Sequence, residues 1–401
     1  MADFPLDRIP RDVADIARKL REAGHEAWYV GGAVRDELLN RARHEVIADI
    51  ATSAQPDEVR KIFRRTVPIG IEHGTVAVLD SRGGTHEVTT FRRDVRTDGR
   101  HAVVEFGVSL DDDLARRDFT INAVAVHPDT GEMRDPWGGL QDLEARVIRA
   151  VGEPATRFRE DWLRVLRALR FAAILDFTIE PATWDALSAA ARAGELEHLS
   201  RERVRDEWLK GLDGARQSRV LDLWRRCGAL ASVWPEMAQL SPAEDAGLDR
   251  IAPRDSVLTT AAALARAGAA PTAAEAAVRR LRFSGRDGEK VRAVVAGLRD
   301  MLPDPADGPV LRRWLATHRE FALDIAAAVP DGAALREAAA RTLSSGVPLG
   351  VADLAVTGED LMEAGVEKGP AIGAALRRLL GVVLDDPAMN TREQLLALVT
   401  K

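Results

Sequence analysis

Four short segments of the chain carry polar residues at spacings that suit chemistry on a phosphorylated substrate. In the first segment, two glycines, Gly31 and Gly32, follow the strand-like residue Val30 and open a helical pattern that contains Arg35. Glycines let backbone amides approach a phosphate, and an arginine in the first helical turn can bind its oxygens. An ordinary strand-to-helix turn with a solvated arginine would look the same, so the other segments must decide between these readings.

Acidic residues in the second segment and on a later strand predict a metal site beside this turn. Glu45 and Asp49 lie on one strand-like stretch, and Glu87 lies on another, where it alternates with apolar Val88. Mg²⁺ prefers carboxylate oxygens combined with the phosphates of a substrate. Taken alone, each stretch could instead be a strand edge with solvent-facing acids.

The third segment, Leu114–Ala123, places Arg117, Asp118 and Asn122 among apolar residues. A cation, an acid and an amide this close together in the sequence suit the phosphates and ribose of a nucleotide. An amphipathic helix with surface charges would have a similar composition, so the segment supports a nucleotide site only in company with the others.

The fourth segment has a polar residue at every third position, namely Asp161, Arg164, Arg167 and Arg170. This spacing predicts a stripe along one helix, with Asp161 and Arg164 as an ion pair. A carboxylate beside a guanidinium can bind the amino donor and ring acceptor that cytosine and adenine share. Uracil and guanine would be rejected, because they place a carbonyl where Asp161 needs a donor. The alternative is a solvated charged face.

The elements that must position these residues change in type along the chain. Residues 26–150 alternate strand-like and helical patterns, which predicts a mixed α+β domain, and the chain from about Pro154 onward shows helical periodicity. The predicted strands are Glu26–Val30, Val46–Ala51, Gly74–Leu79, His86–Phe91 and Val103–Phe106, and the predicted helices between them are Arg11–Ala23, Ala33–Leu39 and Pro56–Phe63.

The composition excludes several classes of protein. The chain has 401 residues, 46% of them hydrophobic, which is enough for two to four folded domains. The single cysteine, Cys227, cannot form an internal disulfide, and no apolar run has the length of a signal peptide or membrane span. We therefore expect a cytoplasmic protein without a membrane partner. The net charge of −7 gives no overall basic footprint, so any RNA site must be a local basic patch.

In their order and spacing, the four segments together resemble the class II tRNA nucleotidyltransferases and bacterial poly(A) polymerases of the DNA polymerase β superfamily. The resemblance covers nearly the whole chain, because Arg203–Glu207 resembles the helix after the family's neck and Leu354–Leu361 resembles the tail of bacterial CCA-adding enzymes. It implies an α+β fold, with a polymerase-β-like nucleotidyltransferase head that contains a mixed sheet, followed by an all-α neck, body and tail. The implied boundaries are 1–140 for the head, 141–205 for the neck, 206–325 for the body and 326–401 for the tail.

The resemblance also implies a reaction, which is template-independent addition of C, C and A to the 3′ end of tRNA from CTP and ATP, with Mg²⁺ as cofactor. Within it, Asp161 and Arg164 would read the base, Arg167 and Arg170 would neutralise phosphates, and residues 93–104 would form a flexible loop that helps to switch from C to A. The implied nucleotide-binding residues are Gly31, Gly32, Arg35, Arg117, Asp118, Asn122, Asp161, Arg164, Arg167 and Arg170, and the implied catalytic metal ligands are Glu45, Asp49 and Glu87. Poly(A) polymerases, CC-adding enzymes and A-adding enzymes belong to the same family and stay open as alternatives.

The acidic pair departs from the family's Asp-x-Asp pattern. Counting back from the Ala-Thr pair that follows it gives Asp49 as the second acid but Ile47 as the first, and isoleucine cannot bind a metal. Glu45 lies four residues before Asp49, about 13 Å away on a regular strand that rises about 3.3 Å per residue. A bulge would have to shorten this separation. Otherwise Asp49 and Glu87 bind the metal alone, or the chain is a catalytically impaired RNA-binding homologue.

Overall fold

The computed structural model describes residues 4–41, 49–71, 74–80, 83–97 and 102–399. Contacts divide the chain into two compact units. The first comprises Met1–Ala215 with Leu223–Val233, and the second comprises Arg216–Asp222 with Trp234–Lys401. All the strands of the described residues belong to the first unit, which therefore holds the α+β part of the fold.

The strands are β1 Ala27–Val30, β2 Asp49–Thr52, β3 Thr66–Pro68, β4 Thr75–Leu79, β5 Thr85–Thr90, β6 Arg92–Thr97, β7 Ala102–Phe106, β8 Ala125–Val126, β9 Met133–Arg134, β10 Val147–Ile148 and β11 Thr178–Ile179. Within the described ranges, seven of them form one sheet in the order β3-β4-β5-β2-β1-β8-β9. Neighbours in this sheet run antiparallel except β2 and β5, which run parallel. The mixed sheet predicted for the head is thus confirmed.

The helices are α1 Arg11–Glu22, α2 Gly32–Leu38, α3 Pro56–Ile62, α4 Leu110–Ala115, α5 Gly139–Ala145, α6 Pro154–Glu160, α7 Leu163–Leu175, α8 Pro181–Arg192, α9 Arg201–Gly214, α10 Gln217–Cys227, α11 Ala229–Val233, α12 Pro242–Leu248, α13 Ser256–Arg266, α14 Pro271–Arg280, α15 Gly285–Gly297, α16 Gly308–His318, α17 Ala322–Ala328, α18 Ala333–Ser344, α19 Gly358–Glu363, α20 Pro370–Asp385 and α21 Arg392–Ala397. The predicted helical remainder is therefore confirmed, except that the short parallel strands β10 and β11 lie within residues 141–205, which were expected to be all-α. None of the helices among the described residues combines the length and apolar character needed to cross a membrane.

The two faces of the central strands enter different hydrophobic clusters. Tyr29 and Ile50 pack with apolar residues of α1, whereas Val30 and Ala51 pack on the other face with Phe91. Because both faces are buried, β1 and β2 are held in a fixed register in which Val30 opposes the first residue of β2. The turn after β1 is thereby placed beside the start of β2.

The predicted elements of the head agree with β1, β2, β4, β5, β7 and α1 to α3 within one residue at each described end. The sequence missed β6, because the polar run Arg92–Thr97 lacks the alternation of a half-buried strand. This run belongs to the predicted flexible loop at 93–104, yet it pairs antiparallel with β7, with a register shift between Asp94 and Arg96. Strands therefore form both ends of that segment, and residues 98–101 lie outside the described residues.

Candidate active site

The turn between β1 and α2 requires glycine. Gly31 has a φ of +73°, and a Cβ there would lie 3.0 Å from Asp49 Oδ2 and 3.2 Å from Arg117 Nη1. The next glycine, Gly32, faces the guanidinium of Arg35, whose Nη2 would lie 3.4 Å from a Cβ. Glycine at these two positions therefore lets a carboxylate and two guanidinium groups approach one stretch of backbone.

The acids Asp49 and Glu87 lie side by side. They are directly paired residues of the parallel strands β2 and β5, so their backbones are separated by one strand spacing of about 4.8 Å. Both side chains line the same cavity. Two adjacent carboxylates facing a cavity fit a divalent cation that completes its shell with phosphate oxygens and water. Within the described ranges no third His, Cys, Asp or Glu joins them, and Glu45 lies outside those ranges.

A buried network joins the third and fourth sequence segments to α2. Asp118 Oδ1 accepts hydrogen bonds from Asn122 Nδ2 at 3.0 Å and from the backbone amide of Phe119 at 2.8 Å. Its Oδ2 accepts from Arg167 Nε at 2.8 Å. Asn122 Oδ1 in turn accepts from Arg35 Nη1 at 2.7 Å. The chain of contacts from Arg35 to Arg167 thus passes through two buried side chains.

The charge of Asp118 is maintained by its partners. Burial alone would raise the pKa of this carboxyl. The charge of Arg167 and the hydrogen bonds from Asn122 and Arg167 outweigh that effect and hold the pKa of Asp118 well below its usual range. In the same pair, burial would lower the pKa of Arg167, but the nearby carboxylates raise it. Both groups are therefore ionised at neutral pH.

The two arginines that precede Asp118 share one acid. Asp113 of α4 is buried and pairs with Arg116 at 2.8 Å and with Arg117 at 3.0 Å. Arg117 also donates from Nη1 to the backbone oxygen of Asn122 at 3.4 Å. These contacts fix Arg117 between the glycine turn and the buried network.

The predicted ion pair between Asp161 and Arg164 is wrong. Asp161 lies in the break between α6 and α7, with extended φ and ψ of −156° and 105°, so the three-residue helical spacing does not apply to it. Its Oδ1 accepts from the backbone amide of Leu163 at 3.0 Å, and its Oδ2 pairs with Arg203 Nη2 at 2.7 Å. The predicted single stripe is likewise interrupted, because only the three arginines lie on α7.

Arg164 is held by different partners. Its Nη1 donates to Glu160 Oε2 at 2.6 Å and to the backbone oxygen of Arg157 at 3.0 Å, and its Nη2 donates to the backbone oxygen of Arg116 at 2.9 Å. Asp161 and Arg164 nevertheless line the same cavity. Each is thus fixed by its own neighbours rather than by the other.

The last arginine of the stripe uses a buried acid from α9. Arg170 Nε donates to Glu207 Oε2 at 2.5 Å, and Arg167 Nη1 lies 3.9 Å from Glu207 Oε1. Glu207 is 5% exposed. The guanidinium groups of both arginines also lie over the ring of Phe171, which borders the cavity.

One cavity of about 480 Å³ brings the predicted residues together. Seven arginines but only four carboxylates line it, so it is locally basic although the chain as a whole is acidic. Its volume falls in the range of small-molecule sites. The predicted residues that line it are Gly31, Gly32, Arg35, Asp49, Glu87, Arg117, Asp118, Asn122, Asp161, Arg164, Arg167 and Arg170.

Among the residues that contact the site without a role in the sequence analysis are Arg203, Glu207 and Phe171. For Glu207 a signal was available, because an acid at this position interrupts the buried stripe of Val204, Trp208 and Gly211 on α9. An acid on an apolar face indicates a buried partner. Arg203 and Phe171 gave no comparable signal.

Three family models match successive parts of the chain. Residues 27–149 match the "Poly A polymerase head domain", and residues 176–240 match the "Probable RNA and SrmB- binding site of polymerase A". Residues 253–399 match the tRNA nucleotidyltransferase domain 2. The order of these matches agrees with a catalytic head followed by helical parts.

Proteins similar over their whole length point to one family. The CCA-adding enzyme of Levilactobacillus brevis is 38% identical over 98% of this chain and 99% of its own. The crystal structure of the Bacillus stearothermophilus CCA-adding enzyme in complex with CTP covers 97% of this chain and 96% of its own, with 33% identity and a TM-score of 0.83. The Thermotoga maritima CCA-adding enzyme complexed with tRNA shares the fold, with 20% identity, a TM-score of 0.66 and coverage of 99% and 98%. The chain belongs to the family of CCA-adding enzymes.

Proposed function

We propose that this protein adds C, C and A in turn to the 3′ end of tRNA, using CTP and ATP and releasing pyrophosphate. The observation that carries the proposal is a single cavity in which the pair Asp49–Glu87 lies among arginines that suit a triphosphate. The reaction is an in-line attack of the RNA 3′-hydroxyl on the α-phosphate of the nucleotide, with pyrophosphate as the leaving group. It requires a metal site, charge neutralisation and base selection, and we assign each of these roles to residues that line this cavity.

Asp49 and Glu87 are the proposed metal ligands, with Mg²⁺ as the ion. When bound, the metal supplies Lewis-acid stabilisation of the phosphate oxygens and activation of the attacking hydroxyl. The register of β2 and β5 fixes the two carboxylates relative to each other before any ion arrives. Glu45 remains the predicted third ligand, dependent on a bulge before Asp49.

The phosphates would be bound by the glycine turn and by arginines that are already oriented. Gly31 and Gly32 leave the backbone open to close approach, while Arg35 and Arg167 are fixed through Asn122 and Asp118. A guanidinium offers several donors in a planar fork that matches phosphate oxygens. Because these side chains are held in place beforehand, little conformational entropy is lost when the nucleotide binds.

Base selection is assigned to Asp161 and Arg164. Asp161 would accept from the amino group of cytosine or adenine, and Arg164 would donate to the adjacent ring nitrogen. Their separate anchoring by Arg203 and by Glu160 supports this assignment, since a pair that satisfied each other would have less capacity for a base. UTP and GTP place an acceptor opposite the Asp161 carboxylate and would be excluded.

The RNA is proposed to bind mainly through its phosphates along the helical half of the chain. The match of residues 176–240 to an RNA-binding model and of residues 253–399 to a tRNA nucleotidyltransferase domain supports this assignment. Phosphate contacts supply most of the affinity of such interfaces. We place the reaction in the cytoplasm, in keeping with a chain whose one cysteine is buried and unpaired.

The deciding experiment incubates a tRNA that lacks its CCA end with CTP alone, ATP alone, both, or UTP and GTP. We expect two cytidines with CTP alone and a complete CCA end with CTP and ATP together. The products are read at single-nucleotide resolution on a denaturing gel. A long adenosine tail with ATP alone would identify a poly(A) polymerase instead.

A catalytically inactive preparation serves as the control. Asp49→Asn removes one charge from the proposed metal site while keeping the size of the side chain, so it should give no product in the same assay. If the unaltered protein also gave no product with any nucleotide but still bound tRNA, the impaired RNA-binding homologue would be the correct reading.

A further inference from the structure

The ring of Phe171 is a contact shared by three arginines of the cavity. The guanidinium carbons of Arg35, Arg167 and Arg170 lie 4.9, 5.2 and 4.2 Å from the ring centroid. All three distances are within the range of a cation–π interaction. The ring is 6% exposed and borders the cavity, so the contacts are largely shielded from solvent.

Each of the three arginines also has a carboxylate partner, and the three carboxylates come from different elements. The pairs are Arg35 with Asp36 at 2.8 Å, Arg167 with Asp118 at 2.7 Å and Arg170 with Glu207 at 2.5 Å. A carboxylate binds the edge of a guanidinium, whereas an aromatic face attracts the cation as a whole. Among the residues that the structure describes, the ring is the one group that all three cations contact, so it can set their planes relative to one another.

Three guanidinium groups gathered around one ring repel each other. The negative face of an aromatic ring offsets part of this repulsion, and it does so more strongly where water is excluded. The ring itself is fixed, because Phe119 packs against it edge to face at a centroid distance of 5.9 Å and an angle of 84°. Phe119 is fully buried, so this second ring anchors the first to the core.

We infer that Phe171 is a positioning residue for the triphosphate, which acts as a cation–π platform that orients Arg35, Arg167 and Arg170 before a nucleotide binds. This inference rests on the proposed function. The platform contacts no substrate atom itself and works through the arginines. Because it favours the phosphate-binding arrangement equally in the ground state and the transition state, its loss should raise KM and leave kcat nearly unchanged.

The test replaces Phe171 with phenylalanines that carry one, two or three ring fluorines. Each fluorine weakens the negative face of the ring and changes its shape very little. We expect the KM for CTP to rise stepwise with fluorination, to about tenfold at three fluorines, with kcat within about twofold. The dissociation constant of inorganic tripolyphosphate, measured by calorimetry, should rise in parallel.

Phe283 offers a matched control. It is 7% exposed and packs edge-on against Trp234 at 6.2 Å, but no guanidinium of the described residues stacks on it. The same fluorinated series at Phe283 should leave KM, kcat and tripolyphosphate binding unchanged. A Phe171→Leu variant with lowered stability and weakened binding would agree with either role, so the fluorinated series decides between them.

Two results would overturn the inference: equal KM and tripolyphosphate affinity across the series at Phe171, or no tripolyphosphate binding by the unaltered protein. A different result would refute the proposed function without refuting this inference. If tripolyphosphate binding followed the number of fluorines but the unaltered protein incorporated neither CTP nor ATP, the platform would stand and the CCA-adding activity would fall.

Discussion

Two sides of the cavity are built in different ways. The acid side consists of Asp49 and Glu87, whose positions follow from the hydrogen-bond register of β2 and β5. The arginine side consists of Arg164, Arg167 and Arg170 on α7, whose guanidinium groups are held by acids from other parts of the first unit. Backbone pairing positions the first set, and side-chain pairing positions the second.

This difference separates groups that react from groups that orient. Glu87 is exposed, and its carboxylate makes no hydrogen bond or ion pair with the side chains that the structure describes. Its oxygens are therefore available to a metal ion. Asp118 lines the same cavity, but its oxygens are used to hold Arg167 and Asn122. Being in the cavity does not alone make an acid catalytic.

The largest effect is expected on the acid side. Asp49→Asn should lower Mg²⁺-dependent CTP incorporation on the order of 10³-fold, because a metal ligand stabilises developing charge by several kcal/mol. Glu87→Gln should lower it somewhat less. The control is Asp57→Asn, at an exposed acid of α3, which should retain normal activity. Full activity in Asp49→Asn would refute the metal assignment.

The irregular spacing before Asp49 gives the next largest effect. If a bulge brings Glu45 to the metal, Glu45→Ala should lose most activity, on the order of 10²-fold. A near-normal Glu45→Ala would instead mean that Asp49 and Glu87 act alone. Deleting Ile47 and Ala48 restores an acid pair two residues apart, and a rise in activity would show that the two extra residues impair catalysis.

A substitution at Asp161 tests whether the part of the cavity beside Arg164 also recognises the base. Asp161→Ala should reduce the preference for CTP over UTP, measured as a ratio of kcat/KM, by about 10²-fold. It should leave the Mg²⁺ dependence of the remaining activity unchanged. Asp185→Ala, at an exposed position of α8, serves as the control. Unchanged selectivity in Asp161→Ala would remove this residue from the site.

Asp118 is expected to act on stability as well as on activity. Asp118→Asn leaves Arg167 without its buried counter-charge and should lower the free energy of unfolding by about 2 kcal/mol at pH 7, a value reduced because Arg167 is one-third exposed. The pKa of Asp118 is lower in the folded state than in the unfolded state. Its contribution is therefore fully present above the unfolded pKa of about 4 and is lost as the pH falls through the lower folded value.

Denaturant unfolding at a series of pH values measures this difference. The difference in the free energy of unfolding between the unaltered protein and Asp118→Asn should be constant from about pH 5 to 8. It should become smaller below about pH 4. Glu337→Gln gives a comparison at an exposed pair with Arg341, where the loss of a carboxylate should have a smaller effect. A gap that widened on acidification would contradict the assignment of Asp118 as the ionised partner.

The smallest expected effect is on tRNA binding by the helical half of the chain. If RNA phosphates are bound along the helical half, tRNA affinity should fall about tenfold or more when salt rises from 50 to 200 mM. Filter binding or fluorescence anisotropy measures this change, with a neutral nucleoside as the control for general salt effects. A flat salt dependence would restrict electrostatic recognition to the cavity.

The sequence predicted the composition of the cavity better than its internal contacts. Each predicted site residue that the structure describes lines it, because glycine turns, strand parity and helical spacing are local properties of the chain. The predicted Asp161–Arg164 ion pair was wrong, because Asp161 lies in the break between α6 and α7 and pairs instead with Arg203 from α9. Partners separated by about forty residues cannot be deduced from local spacing.

The strand β6 was missed for a similar reason. Its pairing with β7 is made by backbone groups, while its side chains show no alternating pattern. Phe171 received no role in the sequence analysis, because an apolar residue in a helix is normally a core residue. Its contact with Arg35 depends on the packing of α2 near α7, which becomes visible only in three dimensions.

The parallel pairing of β2 and β5 has a consequence for how this site can change. Exposed turns in the long connection between them can gain or lose residues without altering the distance between Asp49 and Glu87, since the ladder sets that distance. An insertion immediately before Asp49, by contrast, alters where Glu45 falls. Engineered tags or sensors would therefore be accommodated far better between these two strands than in the few residues that lead into β2.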